Sequence, residues 1–253
     1  MRFASLGSGS RGNSLLVESG ATRLLIDAGF GPRETLRRLG RLGVATDDVS
    51  AILVTHEHTD HIGGAFACAG RFGWQVLLTA GSLSASGRSE PGSEIKLIDS
   101  HEAFAYQDIQ VQPFPVPHDA REPVQYILAD GGARLAVLTD AGHVTTHMVA
   151  MLDRSEAIVL ECNHDLAMLE KGAYPLHLKR RIAGSLGHLD NAAAASLLAR
   201  IDRSRLRHVV AAHISEQNNT PELACWALSE VLDCAPGWIG VASQDAGFDW
   251  REI

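Results

Sequence analysis

Cysteine and long apolar runs are both scarce in this 253-residue chain. The four cysteines, Cys68, Cys162, Cys225 and Cys234, have no C-x-x-C spacing, which argues against a cysteine-ligated zinc site. They read as reduced thiols of a cytoplasmic protein. No stretch approaches the roughly 20 apolar residues of a membrane-spanning helix, so no membrane partner is expected. The opening Met1-Arg2-Phe3-Ala4-Ser5-Leu6-Gly7 lacks the apolar core of a secretion signal. Aromatic residues are few, at 6%, and no low-complexity tract or Pro/Gly/Ser linker marks a boundary. With 45% hydrophobic residues the chain can bury a full core, and residues 1–253 read as one domain.

Glycine and histidine, by contrast, are plentiful: 24 glycines favour tight turns, and 12 histidines supply metal-ligand chemistry. The net charge is −8, yet it is unevenly spread. Between Lys171 and Val210 eight Lys/Arg residues face only Asp190 and Asp202. A basic face on an acidic protein is compatible with phosphate binding, and a pair of solvated helix faces explains the same run.

Short apolar runs separated by turns predict strands over 2–6, 14–17, 22–26, 51–55 and 75–78, then over 94–98, 103–106, 109–116, 124–129 and 133–138. Gly131-Gly132 predicts a hairpin between the last two. Helices are predicted from Pro32 through Leu42, over 62–72, 144–152, 175–183, 191–201 and 221–231, with strands at 157–160 and 208–212. Strand-rich segments with helices after each set suggest two sheets between helical layers.

The densest chemistry is His56-Glu57-His58-Thr59-Asp60-His61, directly after the apolar Ile52-Leu53-Val54. In extended backbone, residues two apart point the same way, so His56 and His58 can reach one metal together. Where strand becomes helix, Asp60 and His61 can swing to a second position. Imidazole and carboxylate suit zinc, manganese or iron. Three further polar residues follow apolar runs and can complete a cage: His118, Asp140 and His213.

These elements resemble the ligand motifs of the metallo-β-lactamase superfamily, in the family's order, and Leu25-Ile26-Asp27-Ala28-Gly29 resembles its early strand-plus-aspartate element. The resemblance implies an α+β fold, a four-layer αββα sandwich of two mostly antiparallel sheets flanked by helices. It also implies two divalent metal ions, zinc or manganese. His56, His58 and His118 would hold one, Asp60, His61 and His213 the other, with Asp140 bridging. Asp27 would steady a ligand from behind, although a turn cap explains it equally. Aspartate at position 140 resembles the hydrolases of phosphodiesters and thioesters, where a carboxylate can bridge two ions.

Further motifs resemble the YycJ (WalJ, VicX) branch, which is similar to ribonuclease Z: Gly7-Ser8-Gly9-Ser10-Arg11-Gly12-Asn13-Ser14, Asn163-His164-Asp165, Tyr174-Pro175, Lys179-Arg180-Arg181-Ile182, Gly187-His188-Leu189-Asp190-Asn191 and His213-Ile214-Ser215. That likeness implies metal-dependent phosphodiester hydrolysis, a 5′-to-3′ exonuclease action on DNA, with a hydroxide held by the two ions as nucleophile. Nucleic acid would then be the substrate partner. Asp60 would orient the hydroxide and take its proton, His188 would protonate the departing oxygen, and Glu161 would fix the tautomer of His188. One or two of Lys179, Arg180 and Arg181 are expected to contact phosphates. His164 either lines the site or merely ends a strand, and His188 could instead be a helix-start residue beside the cap Asp190. The rival readings are a cyclic-phosphate phosphodiesterase or hydroxyacylglutathione-type thioesterase on the same cage, and a non-catalytic regulator.

Overall fold

The computed structural model describes residues 1–88 and 92–253. The first sheet contains β1 (Arg2–Gly7), β2 (Ser14–Ser19), β3 (Thr22–Ile26), β4 (Ala51–Leu53), β5 (Gln75–Thr79) and β6 (Ile95–Ile98). The second contains β7 (Phe104–Tyr106), β8 (Ile109–Pro115), β9 (Val124–Ala129), β10 (Arg134–Leu138), β11 (Ala157–Glu161), β12 (His208–Ala212) and β13 (Gly240–Val241). The last strand, β14 (Phe248–Glu252), returns to the first sheet and pairs with β1, giving the orders β14-β1-β2-β3-β4-β5-β6 and β13-β12-β11-β10-β9-β8-β7.

The helices are α1 (Pro32–Arg41), α2 (Thr59–Ile62), α3 (Ala65–Phe72), α4 (Ala80–Ala85), α5 (Thr146–Leu152), α6 (Leu166–Lys171), α7 (Leu176–Ile182), α8 (Asn191–Arg200) and α9 (Pro221–Leu232). None is long and apolar enough to cross a membrane.

Period-two alternation of apolar residues creates the layers. In β12, Val209 and Ala211 face a helical layer with Leu197, Leu198 and Leu228. Its Val210 and Ala212 face the other sheet, in a core that includes Leu24, Leu53 and Leu77. On the far side, Leu25, Ile52 and Val76 pack beneath Leu39, Cys68 and Ala69 of α1 and α3. Both faces of each sheet are therefore covered, and the central strands read as continuous apolar runs. The result is the expected αββα sandwich.

The sheets are mixed rather than mostly antiparallel. Each combines three antiparallel ladders with three parallel ones: β14-β1-β2-β3 and β7-β8-β9-β10 are antiparallel, whereas β3-β4-β5-β6 and β10-β11-β12-β13 are parallel. Crossovers through α1, through α2 and α3, and through α4 return the chain to the same sheet end, and such crossovers produce parallel neighbours.

The helix expected over 62–72 is split in two, with Gly63-Gly64 between α2 and α3. The sequence reading placed nothing at α4, α6, β13 or β14. Two of these are six-residue helices, and a third is a two-residue strand, too short for a periodic signal.

Candidate metal centre

The carboxyl ends of the parallel strands of both sheets converge on one rim. From the first sheet, β3 delivers Asp27, and β4 leads into 54–58 and then α2. His56 and His58 sit in extended chain, with His58 as the N-cap residue of α2, while Asp60 and His61 lie on its first turn. From the second sheet, β10 delivers Asp140, β11 ends on Glu161, and β12 delivers His213. His118 follows β8.

Four overlapping groups result: His56, His58 and His118; Asp60, His61 and His213; His56, His61 and Asp140; and Asp140, Glu161, His188 and His213. Within each group the ligand atoms lie within 4.8 Å of one another.

Each histidine is fixed from behind. Nδ1 of His61 lies 2.7 Å from Asp27 Oδ2, and Nδ1 of His56 lies 2.9 Å from the Thr55 hydroxyl. Nδ1 of His118 donates to the Gly187 carbonyl at 2.9 Å, and that of His213 donates to the Thr139 carbonyl at 2.8 Å. His58 uses the opposite nitrogen, its Nε2 lying 3.2 Å from the Asp119 carbonyl oxygen. Bonding one ring nitrogen outward leaves the lone pair of the other aimed at the common centre, as metal-ligating imidazoles require.

Asp27 is itself held by the backbone N–H of Thr55 at 2.8 Å and by the Thr55 hydroxyl. Its φ of +62°, like the +50° of His213, is uncommon outside glycine, so the site imposes two strained backbones.

Three buried polar atoms without a partner lie at the centre. His56 Nε2 and both carboxylate oxygens of Asp140 are buried without a hydrogen bond. Asp140 Oδ1 is 3.0 Å from His213 Nδ1 and 3.2 Å from His188 Nδ1, and its Oδ2 is 3.1 Å from His61 Nε2, yet none of these contacts has hydrogen-bond geometry. A buried carboxylate with nothing to satisfy it is costly, and bound cations are one of the few remedies.

Electrostatics agree with that reading. Burial, together with the charge of His61, keeps the pKa of His56 well below the ordinary value, and burial also lowers that of His58, so both favour the neutral, ligating form. Burial raises the carboxyl of Asp60, but His61 and His213 outweigh it and hold the group far below the usual carboxylate range. The donor set therefore fits divalent metal, nitrogen-rich on one side and nitrogen plus carboxylate on the other.

Across the cleft, His188 Nδ1 lies 2.8 Å from Glu161 Oε1, while Glu161 Oε2 accepts from the backbone N–H groups of Ala141 and Leu189. Burial lowers the pKa of His188, but Glu161 and Asp140 more than compensate, raising it to about 9.

The structure gathers His56, His58, Asp60, His61, His118, Asp140 and His213, with Asp27, Glu161 and His188 around them. Of the basic triplet, from which one or two phosphate contacts are expected, one residue lies at the cleft. Arg181 lines the cleft, but Lys179 donates instead to the Glu170 carbonyl at 2.7 Å, and Arg180 is exposed outside it. Of the two readings of His164, the structure favours the one without a place in the cleft: it is only 1% exposed, and its neighbour Asn163 lines the cleft instead. In extended chain, neighbouring side chains point opposite ways, so His164 turns inward.

Some contributors were not singled out from sequence. Asn13 Nδ2 lies 3.2 Å from His61 Nε2, and its backbone N–H donates to the Asp60 carbonyl at 2.7 Å. Its position in the glycine-rich loop was the available signal. Gly29 permits this approach, because a Cβ there would lie 2.0 Å from the Asp60 carbonyl oxygen.

Residues 22–214 match the family model described as the beta-lactamase superfamily domain. The chain belongs to that superfamily and is a metal-dependent hydrolase. Among curated proteins, it is 36% identical to an exodeoxyribonuclease YycJ of Bacillus anthracis over 236 residues, covering 92% of this chain and 89% of the relative. It is 31% identical to an exodeoxyribonuclease WalJ of Streptococcus pneumoniae over 245 residues, covering 95% and 91%. Among solved structures, the metallo-beta-lactamase fold protein YhfI of Bacillus subtilis superposes with a TM-score of 0.72 at 13% identity, over 99% of both chains, which supports the fold alone.

Proposed function

We propose that the protein is a DNA exonuclease, hydrolysing phosphodiester bonds from the 5′ end with two divalent ions, zinc or manganese, bound between the sheets. The observation that carries this reading is the unpartnered Asp140 carboxylate, flanked by one donor triad on each side and faced by the His188–Glu161 pair. Two relatives that this chain matches over about nine-tenths of their length, at 36% and 31% identity, are named exodeoxyribonucleases.

In this reading His56, His58 and His118 hold one ion, Asp60, His61 and His213 the other, and Asp140 bridges them. When bound, such ions lower the pKa of a coordinated water to about 7 and neutralise phosphoryl oxygens.

The chain's own groups do the rest. Asp60, kept anionic by its neighbours, accepts a hydrogen bond from the attacking water and so orients it. His188 is charged at neutral pH and gives a proton from Nε2 to the departing oxygen, with Nδ1 held by Glu161. Arg181, paired with Asp119 at 2.6 Å, exchanges that partner for a phosphate. A protein acting on chromosomal DNA belongs in the cytoplasm, where the four free cysteines stay reduced.

The test offers end-labelled single- and double-stranded DNA and RNA to the purified protein with manganese or zinc, alongside Asp60→Ala and His188→Ala. The expected result is stepwise release of mononucleotides from DNA 5′ ends, lost in both variants. Hydrolysis of a thioester or a cyclic phosphate, but of no polynucleotide, would transfer the site to a small-molecule reaction.

A further inference from the structure

The two donor triads are braced by different parts of the chain. In the first, His56 is fixed by the Thr55 hydroxyl, His58 by the Asp119 carbonyl and His118 by the Gly187 carbonyl. In the second, His213, Asp60 and His61 all meet the glycine-rich loop between β1 and β2. Among the described residues, no hydrogen bond joins that loop to His56, His58 or His118.

Backbone N–H groups can only donate, and they settle the direction of these contacts. The backbone N–H of Gly9 donates to Asn13 Oδ1 at 2.8 Å, so Nδ2 is the end of that amide that faces Asp60 and His61. The backbone N–H of His213 donates to Ser8 Oγ at 2.9 Å. The Ser8 hydroxyl proton is then free for Asn13 Oδ1, 3.0 Å away. A directed relay results: His213 N–H to Ser8, Ser8 O–H to Asn13, and Asn13 Nδ2–H to Asp60 Oδ2 at 3.4 Å. Ser8 and Asn13 are both buried, where an unmade bond is costly.

The loop is itself held in shape. Gln244 Oε1 accepts from the backbone N–H of Arg11 at 2.7 Å, and Gln244 Nε2 donates to the Gly12 carbonyl at 2.9 Å. A Cβ at Gly9, whose φ is +146°, would lie 2.6 Å from Gln244 Oε1, so this seat needs glycine. At the other end of the relay, the φ of +50° at His213 is a conformation that its surroundings must hold in place. Ser8 holds the N–H of that residue, and Asn163 Nδ2 donates to its carbonyl at 3.1 Å.

We propose that Ser8 and Asn13 are positioning residues for one ion alone, the one assigned to Asp60, His61 and His213. They set the backbone of His213 and the carboxylate of Asp60, and the ion assigned to His56, His58 and His118 does not depend on them. This rests on the two-ion reading above and adds that the two ions have separable supports.

The test titrates chelator-treated protein with manganese and follows the heat of binding. The unaltered chain is expected to take up two ions. Asn13→Ala and Ser8→Ala should each weaken one ion about 10- to 100-fold and leave the other unchanged. Ser8→Thr, which keeps the hydroxyl, should restore the weakened site. Arg11→Ala changes an exposed residue of the same loop outside the relay and should alter neither site. Two backgrounds identify the ion. In His118→Ala protein, Asn13→Ala should still weaken the remaining ion by the same factor, and in Asp60→Ala protein it should add no loss.

Equal weakening of both ions, or weakening of neither, would overturn the proposal while leaving the two-ion reading intact. If Asn13→Ala fails to fold, Ser8→Ala and Ser8→Thr still decide the matter, because they address the same relay. An unaltered chain that binds a single ion would remove both readings together.

Discussion

The two halves of the molecule end equivalent strands on the same three residues and use them differently. After β3 comes Asp27-Ala28-Gly29, and after β10 comes Asp140-Ala141-Gly142, each at the switch from antiparallel to parallel pairing. Asp27 accepts from Thr55 and meets His61, so its carboxylate is satisfied within its own half. Asp140 has no hydrogen bond, and its oxygens point at nitrogens from both halves. A repeated local motif thus yields a buttress in one sheet and a free donor in the other. What separates them is what the opposite strands bring within reach. The second half also carries His188 and Arg181, which would act on substrate, and Glu161, which holds His188.

The comparison breaks if the two aspartates respond alike to substitution. Asp140→Ala should lower kcat by at least about 10³-fold and reduce the metal held per chain, read by metal analysis and steady-state kinetics. Asp27→Asn should weaken metal affinity by only about 10- to 100-fold, because it loosens His61 without removing a donor. It should also cost about 1–3 kcal/mol in stability, since the amide keeps an acceptor oxygen for Thr55 but sets an NH2 donor against the Nδ1 of His61 in a buried place. Equal metal loss in both variants would mean that the halves are not divided in this way.

The division sharpens if the second half sets the pH response. His188 is protonated below about 9, so a rate that needs its proton is full below that value and falls as pH rises through it. Glu161→Gln removes the nearby negative charge, and the alkaline limb should move down by about 1–3 units. An unmoved limb in the pH profile of kcat would assign the proton to another group.

The smallest expected effect concerns Arg181. Arg181→Ala should reduce the salt dependence of DNA binding by about one in log–log slope. Arg180→Ala, outside the cleft, should leave that slope nearly unchanged. Equal slopes for the two variants would remove the distinction drawn between them.

Much of the centre could be read in the linear order of residues. Six of the seven donor positions, His56, His58, Asp60, His61, Asp140 and His213, follow apolar strand cores within a few residues, and His118 follows the proline-bounded end of β8. Period-two spacing then shows which of them share a side. The basic triplet at 179–181 was less legible, because only the pitch of α7 separates Arg181 from its neighbours. His164 could be read either way for a related reason: its place follows from the isolated bridge between His164 and Asp190, which joins segments distant in the chain.

The sequence by itself determined the donor inventory and the two-sheet pattern, which depend on residue type and short-range periodicity, and the family, which follows from the likeness of its motifs to those of the metallo-β-lactamase superfamily. Only the tertiary structure decided which atoms meet. The link from Asn13 to Asp60, the hold of Gly187 on His118 and the pairing of β14 with β1 all join segments distant in the chain. Their geometry follows from how two twisted sheets pack, and no local pattern encodes that distance.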